Sequence, residues 1–268
     1  AKFENGRLRR PVREVEKLFL DSIRRARNLI YIENQYFTSL TIARAIAERL
    51  KEPEGPDFVM VLPRDQTGWI EESTMGILRS RTLREVERAD RFGRFRCFYP
   101  VVEGIGDGYV NVHSKVMIID DEFLRVGSAN LNSRSMGLDT ECDLALEAQG
   151  REDVRESIRK LRFRLLAEHL GVRPEDVERK EREHGRLCAT VDSLLGGERT
   201  LTPLVSREMS WIDKIFPPIE WIDPARPWGI RRWFGKKLRS VQFFLLLTCF
   251  LTACATVPQE TELSQLER

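Results

Sequence analysis

The stretch Val112-His113-Ser114-Lys115-Val116-Met117-Ile118-Ile119-Asp120 decides how the rest of the chain is read. Val116 to Ile119 are apolar without a break, the pattern of a short strand covered on both faces. Alternate residues of a strand share a side, so a strand that began at Val112 would carry His113 and Lys115 on one face. The expectation is a strand over 112–119, ending at Asp120, that presents an imidazole and an ammonium together at the rim of a sheet.

Further strands are expected over 123–126 and 142–147, and before the motif over 29–32, 58–62 and 95–102. Between them, apolar residues at helical spacing predict helices over 12–27, 39–51 and 70–90. Val154, Ile158, Leu161, Leu165 and Leu170 predict another, stopped by Gly171. Pro174 can start a charged helix that Gly185 ends. Strands interleaved with helices indicate an α/β layered domain over about 1–170.

The polar residues around the first stretch suit attack on a phosphodiester. Imidazole can attack phosphorus or move a proton near neutral pH. An ammonium and neutral donors stabilise charge building on phosphoryl oxygens. After the 123–126 strand comes Gly127-Ser128-Ala129-Asn130-Leu131-Asn132, where Gly127 permits close approach and Ser128 and Asn130 offer donors to a phosphate. Glu141 can hold a histidine's second nitrogen.

His113-x-Lys115-x4-Asp120 followed by Gly127-Ser128-x-Asn130 resembles the HKD motif of the phospholipase D superfamily. Ile30-Tyr31-Ile32-Glu33-Asn34-Gln35-Tyr36-Phe37-Thr38 resembles the strand and loop opening the second half of bacterial phospholipase D-like enzymes. The similarity runs over roughly residues 8–230. It implies a layered domain with a central mixed β-sheet flanked by helices. It also implies a two-step reaction without metal or other cofactor, in which one histidine forms a phosphohistidine and another protonates the leaving alcohol and then activates water. Carried over, His113 and Lys115 are catalytic, Ser128 and Asn130 contact phosphate, and Glu141 orients a histidine. Asp120 completes the catalytic motif, with a structural role rather than proton transfer.

Such enzymes use two HKD motifs and this sequence has one. The other histidines, His169 and His184, sit in a charged helical region with no lysine two residues on. The missing half is expected either in the same longer chain or in a homodimer mate. The likeness of residues 4–30 to the junction entering the second repeat favours the first, which would make His113 the acid/base histidine. Ala1 opens the chain without a signal segment, which suggests a trimmed start or part of a longer protein.

The chain has 268 residues and a net charge of +2, with 41% hydrophobic and 32% charged residues, ordinary for a globular protein. That near balance disfavours a nucleic-acid partner. Five scattered cysteines without a CxxC pair predict no disulfide framework and no zinc site, and read as small apolar fillers. The catalytic half is drawn over 1–195, a Pro- and Trp-rich extension over 196–237, a hydrophobic segment over 238–257 and a polar tail over 258–268. Residues 241–254 read as a short membrane-inserting tail, a buried helix, or a lipoprotein-like signal out of place. The six basic residues from Arg226 to Ser240 would favour an anionic bilayer surface, hence a membrane-associated, bacterial protein.

Ser128 and Asn130 could instead cap a helix starting near Asn132, and Glu141 could be a solvated carboxylate. Asn34 and Gln35 read equally as pocket-lining residues or turn formers. The leading expectation is hydrolysis of glycerophospholipids. Phosphatidyl transfer of the cardiolipin synthase kind, nuclease action and a non-catalytic membrane-docked half are the alternatives.

Overall fold

The computed structural model describes residues 12–64, 69–105, 109–207 and 223–224, with backbone alone over 69–74 and for the paired strands β1 (Phe3–Glu4) and β2 (Arg7–Leu8). The hydrophobic segment after residue 237 lies outside the described residues.

A seven-stranded mixed sheet forms the centre. Its strands are β3 (Leu29–Glu33), β4 (Asp57–Val61), β5 (Phe95–Val102), β6 (Val116–Ile119), β7 (Phe123–Gly127), β8 (Asp143–Glu147) and β9 (Arg199–Pro203). Their spatial order is β8-β7-β6-β3-β4-β5-β9. β3, β4 and β5 run parallel, while β6, β7, β8 and β9 each pair antiparallel with a neighbour. The continuous apolar runs fall in the middle of the sheet, where helices cover both faces; β4 is buried along its whole length.

On one face Ile30, Ile32, Met60, Met117 and Ile119 pack under helices α1 (Glu14–Arg25), α2 (Leu40–Leu50), α3 (Trp69–Ala89) and the short α4 (Ser133–Gly137). On the other, Tyr31, Val59, Val61 and Ile118 pack under α5 (Glu152–Leu170), α6 (Pro174–His184) and α7 (Leu187–Asp192). Local chemistry sets the helix ends. Ser39 caps α2 through its side chain, and Gly171 and Gly185 end α5 and α6 with φ of 65° and 67°, the left-handed conformation that glycine adopts without a Cβ penalty.

Three departures from the sequence expectation matter. The motif strand starts at Val116, so His113 and Lys115 lie on an extended approach rather than in the ladder. β9, from the first residues assigned to the extension, pairs with β5 and closes one sheet edge. Its threonines and terminal proline lack the apolar run that marks the inner strands. Cys97 and Cys188 are buried fillers, and burial pushes the Cys97 thiol up to about 12, but Cys142 is exposed.

β3, β4 and β5 all point their carboxyl ends toward one rim, and antiparallel β6 begins there, with Glu33 opposite Val116. This is the rim where ligands bind in sheets of parallel strands.

Candidate active site

His113 is exposed, and its ring has no hydrogen-bond partner among the described residues. Ser114 turns inward, its hydroxyl donating to Glu33 Oε2 at 2.5 Å. Lys115 is buried, and its ammonium donates to the His113 main-chain oxygen at 2.7 Å and to Gln35 Oε1 at 3.2 Å. The ammonium therefore sits beside the backbone of His113, held by neutral acceptors. Burial, then the Arg125 charge, lowers its pKa from the usual lysine value, against the opposing carboxylate of Glu141.

The loop after β7 folds over the start of β6. Gly127 N donates to Lys115 O at 3.2 Å, and a Cβ at Gly127 would collide with the Asp143 carboxylate, so a side chain has no room there. Ser128 is doubly engaged, its hydroxyl donating to Glu141 Oε2 at 2.5 Å and accepting from Cys142 N at 2.9 Å. Asn130 Oδ1 is buried with no partner among the described residues. Asn132 caps α4 by accepting from Ser135 N at 2.9 Å, and Ser135 Oγ accepts from Asn130 N at 3.1 Å. Capping thus falls to Asn132, and Asn130 keeps an amide uncommitted on its oxygen side.

The two expected carboxylates lie apart. Glu141 takes the Ser128 hydroxyl and no imidazole among the described residues. Asp120 lies at the opposite end of β6 from Lys115, with φ of 53°, and its carboxylate accepts from the main-chain N–H groups of Arg27, Asn28 and Leu29 at 2.7–2.9 Å. It fastens the turn into β3 and is not part of the His113–Lys115 cluster.

Other residues of the site escaped the sequence reading. Arg125, fully buried, donates to Lys115 O at 3.3 Å and Ala129 O at 3.1 Å, pairs with Asp143, and stacks 4.5 Å over the Phe19 ring. It binds the motif segment to the Ser128 loop from below. His169, assigned to a charged region, is buried, with Nε2 donating to Glu33 Oε1 at 3.1 Å. Tyr31 also donates to Glu33, at 2.6 Å. Although burial works against it, these bonds and that of Ser114 keep the Glu33 pKa below its ordinary value. Helical spacing carried the signal: His169 follows Ile158 by eleven residues, on the buried side of α5. Asp223 is buried too, accepting from Thr38 Oγ1 and from the N–H groups of Ser133 and Arg134 at 2.6–2.8 Å.

Among the described residues no cluster of His, Cys, Asp and Glu could hold a metal, and no helix is long and apolar enough to cross a membrane.

The family model for phospholipase D matches residues 106–197, which contain His113, Lys115, the Ser128 loop and Glu141. Phospholipase D A of Dictyostelium discoideum is 27% identical over 206 residues, covering 61% of this chain and 16% of that protein. Phospholipase D alpha 1 of Zea mays is 40% identical over 81 residues, covering 26% of this chain and 10% of that one. Phospholipase D alpha 1 of Nicotiana tabacum is 26% identical over 238 residues, of which the chain spans 30% of the full length. The chain thus corresponds to under a third of each of these relatives. Among solved structures, Nuc from Salmonella typhimurium, described as a phospholipase D family member, aligns with a TM-score of 0.39 and 19% identity over 53% of this chain and 80% of its own. The family match over residues 106–197 and the shared sequence of these relatives support the phospholipase D superfamily for this chain.

Proposed function

We propose that the chain is one half of a phospholipase D-type phosphodiesterase that hydrolyses glycerophospholipids. The observation that carries the reading is the exposed His113 ring, without a partner among the described residues, beside a buried lysine ammonium that among those residues is bound to neutral oxygens. Such an ammonium keeps its charge for a phosphoryl oxygen. In the reaction, one imidazole attacks phosphorus, forming a P–N bond as the P–O bond to the head-group alcohol breaks. A second imidazole gives that alkoxide its proton. It then takes a proton from water, whose oxygen displaces the first imidazole and leaves phosphatidic acid. His113 supplies one imidazole, and we assign it the acid/base part.

The second imidazole belongs to a partner half, in the same longer chain or a second copy. An uncovered apolar strip supports a partner at this place. Val126 and Leu144, paired across β7 and β8, are 43% and 75% exposed, and Leu146 is 47% exposed. The strip begins next to the loop of Ser128 and Glu141. The basic run before the hydrophobic segment supports a membrane-associated setting.

The test is incubation of the chain together with its partner half with phosphatidylcholine and phosphatidylglycerol vesicles, with phosphatidic acid and free alcohol measured, for the unaltered chain and for His113→Ala in the same assembly. Hydrolysis that persists in chelator and is lost in His113→Ala is the expected result; equal product from both contradicts the assignment. Added ethanol diverts product to the ethyl ester if an alcohol reaches the intermediate, which distinguishes transfer from hydrolysis.

A further inference from the structure

We propose that Glu33, Asn34 and Gln35, consecutive residues leaving the end of β3, are the positioning residues of this active site, each fixing a different part of it. Glu33 Oε2 accepts from Ser114, between His113 and Lys115. Asn34 Oδ1 accepts from Leu131 N at 3.1 Å, in the loop that carries Ser128 and Asn130. Gln35 Oε1 accepts from the Lys115 ammonium. All three side chains are buried, and the Asn34 N–H is tied to Val61 O of β4 at 3.1 Å, so the segment is anchored to the middle of the sheet.

Buried polar groups need partners in any protein, so the bonds alone would be compatible with simple packing. Their distribution is what argues for positioning. The chain leaves the sheet at Glu33, so successive side chains diverge, and each reaches a different segment around one rim. The buried Tyr31 hydroxyl and His169 imidazole hold Glu33 from behind. Ser114 is thereby fixed, and with it the spacing between His113 and Lys115.

Residue type at Gln35 is as telling as placement. A carboxylate there would pair with Lys115 and neutralise the charge meant for phosphate. An apolar side chain would leave the ammonium with one protein acceptor and greater freedom. An amide accepts one hydrogen bond and leaves the charge uncompensated.

The proposal rests on the phosphodiesterase reading for its purpose, but its test does not need turnover. The Lys115 ammonium is followed by side-chain 15N NMR through a pH titration of the whole chain, in Gln35→Glu and Gln35→Met. The expected result is opposite displacement: the Lys115 midpoint rises in Gln35→Glu, where a carboxylate favours the ammonium, and falls in Gln35→Met, where an acceptor is lost. The thermal midpoint should stay within a few degrees in both. Where the chain turns over substrate, both variants lose about tenfold in kcat, more than any change in KM, because a displaced lysine serves the transition state less well. A Lys115 titration identical in both variants overturns the proposal, whatever their activity. Loss of activity in His113→Ala bears on the phosphodiesterase reading alone. Asn34→Asp, which keeps the oxygen facing Leu131, provides the second check: its loop amide signals at 128–131 stay in place, whereas in Asn34→Ala they shift, and equal spectra in the two overturn the role of Asn34.

Discussion

The two ends of β6 carry the same kinds of residues and treat them in opposite ways. At the Asp120 end the charges nearest the strand are met: Asp120 accepts three main-chain N–H groups, and Asp121 and Glu181 both grip the buried Arg162 at 2.6–2.9 Å. A cleft of about 910 Å³ opens there, lined by Arg25, Arg155, Arg159 and Glu122 among others, and all four of these make ion pairs. At the Lys115 end an imidazole stands without a partner among the described residues, an ammonium rests on neutral oxygens and an amide oxygen is orphaned. A saturated polar network holds a fold together; a partly unsatisfied one is available to a ligand.

The sharpest contrast pairs one substitution from each end. His113→Ala should cost about 10³-fold or more in turnover at unchanged thermal midpoint, the range for losing a proton-handling group. Arg162→Met should leave turnover per folded molecule intact while removing roughly 3–5 kcal/mol of stability, because Asp121 and Glu181 lose their shared counter-ion. Urea denaturation and a phosphodiester assay on both proteins check the pair. If Arg162→Met lost activity at full stability, the division between the ends would fail.

Asp120→Ala should cost about 1–3 kcal/mol through three main-chain donors left without their acceptor, again with little change in rate per folded molecule. A rate loss comparable to that of His113→Ala would return Asp120 to the chemistry.

A smaller effect concerns pH. The Glu33 pKa in the folded chain lies below 4.5, so its contribution to stability is complete above about that pH and declines as pH falls through the lowered value. The stability gap between the chain and Glu33→Gln, from urea midpoints, should therefore be steady at neutral pH and narrow in acid. A gap that widens in acid would give Glu33 the opposite sign. Smallest of all, Ser128→Ala should reduce turnover by only a few-fold, since its hydroxyl already serves Glu141 rather than standing free.

Much of this was legible in the sequence, for definite reasons. The apolar runs at 58–62 and 116–119 announced inner strands because helices cover both their faces, and glycines at 171 and 185 marked helix ends that only a left-handed residue supplies. The motif gave His113, Lys115 and the loop after β7. What it could not give was three-dimensional pairing: that Asp120 fastens the turn into β3, that Glu141 faces Ser128, or that Arg125 lies beneath both motif segments. Burial of His169 and Arg162 was hidden because charged neighbours mask the apolar side of α5. β9 was hidden because an edge strand needs no continuous apolar run.

The three histidines are built-in reporters for which end receives the phosphate. His113 stands at one rim, His169 lies buried behind it, and His184 ends α6, whose Glu181 and Arg182 line the large cleft. Ring 15N spectra recorded while inorganic phosphate is added should show a saturable shift at His113 with His184 unmoved. A saturable shift at His184 with His113 unmoved would place the anion at the wrong end of β6 and contradict the account.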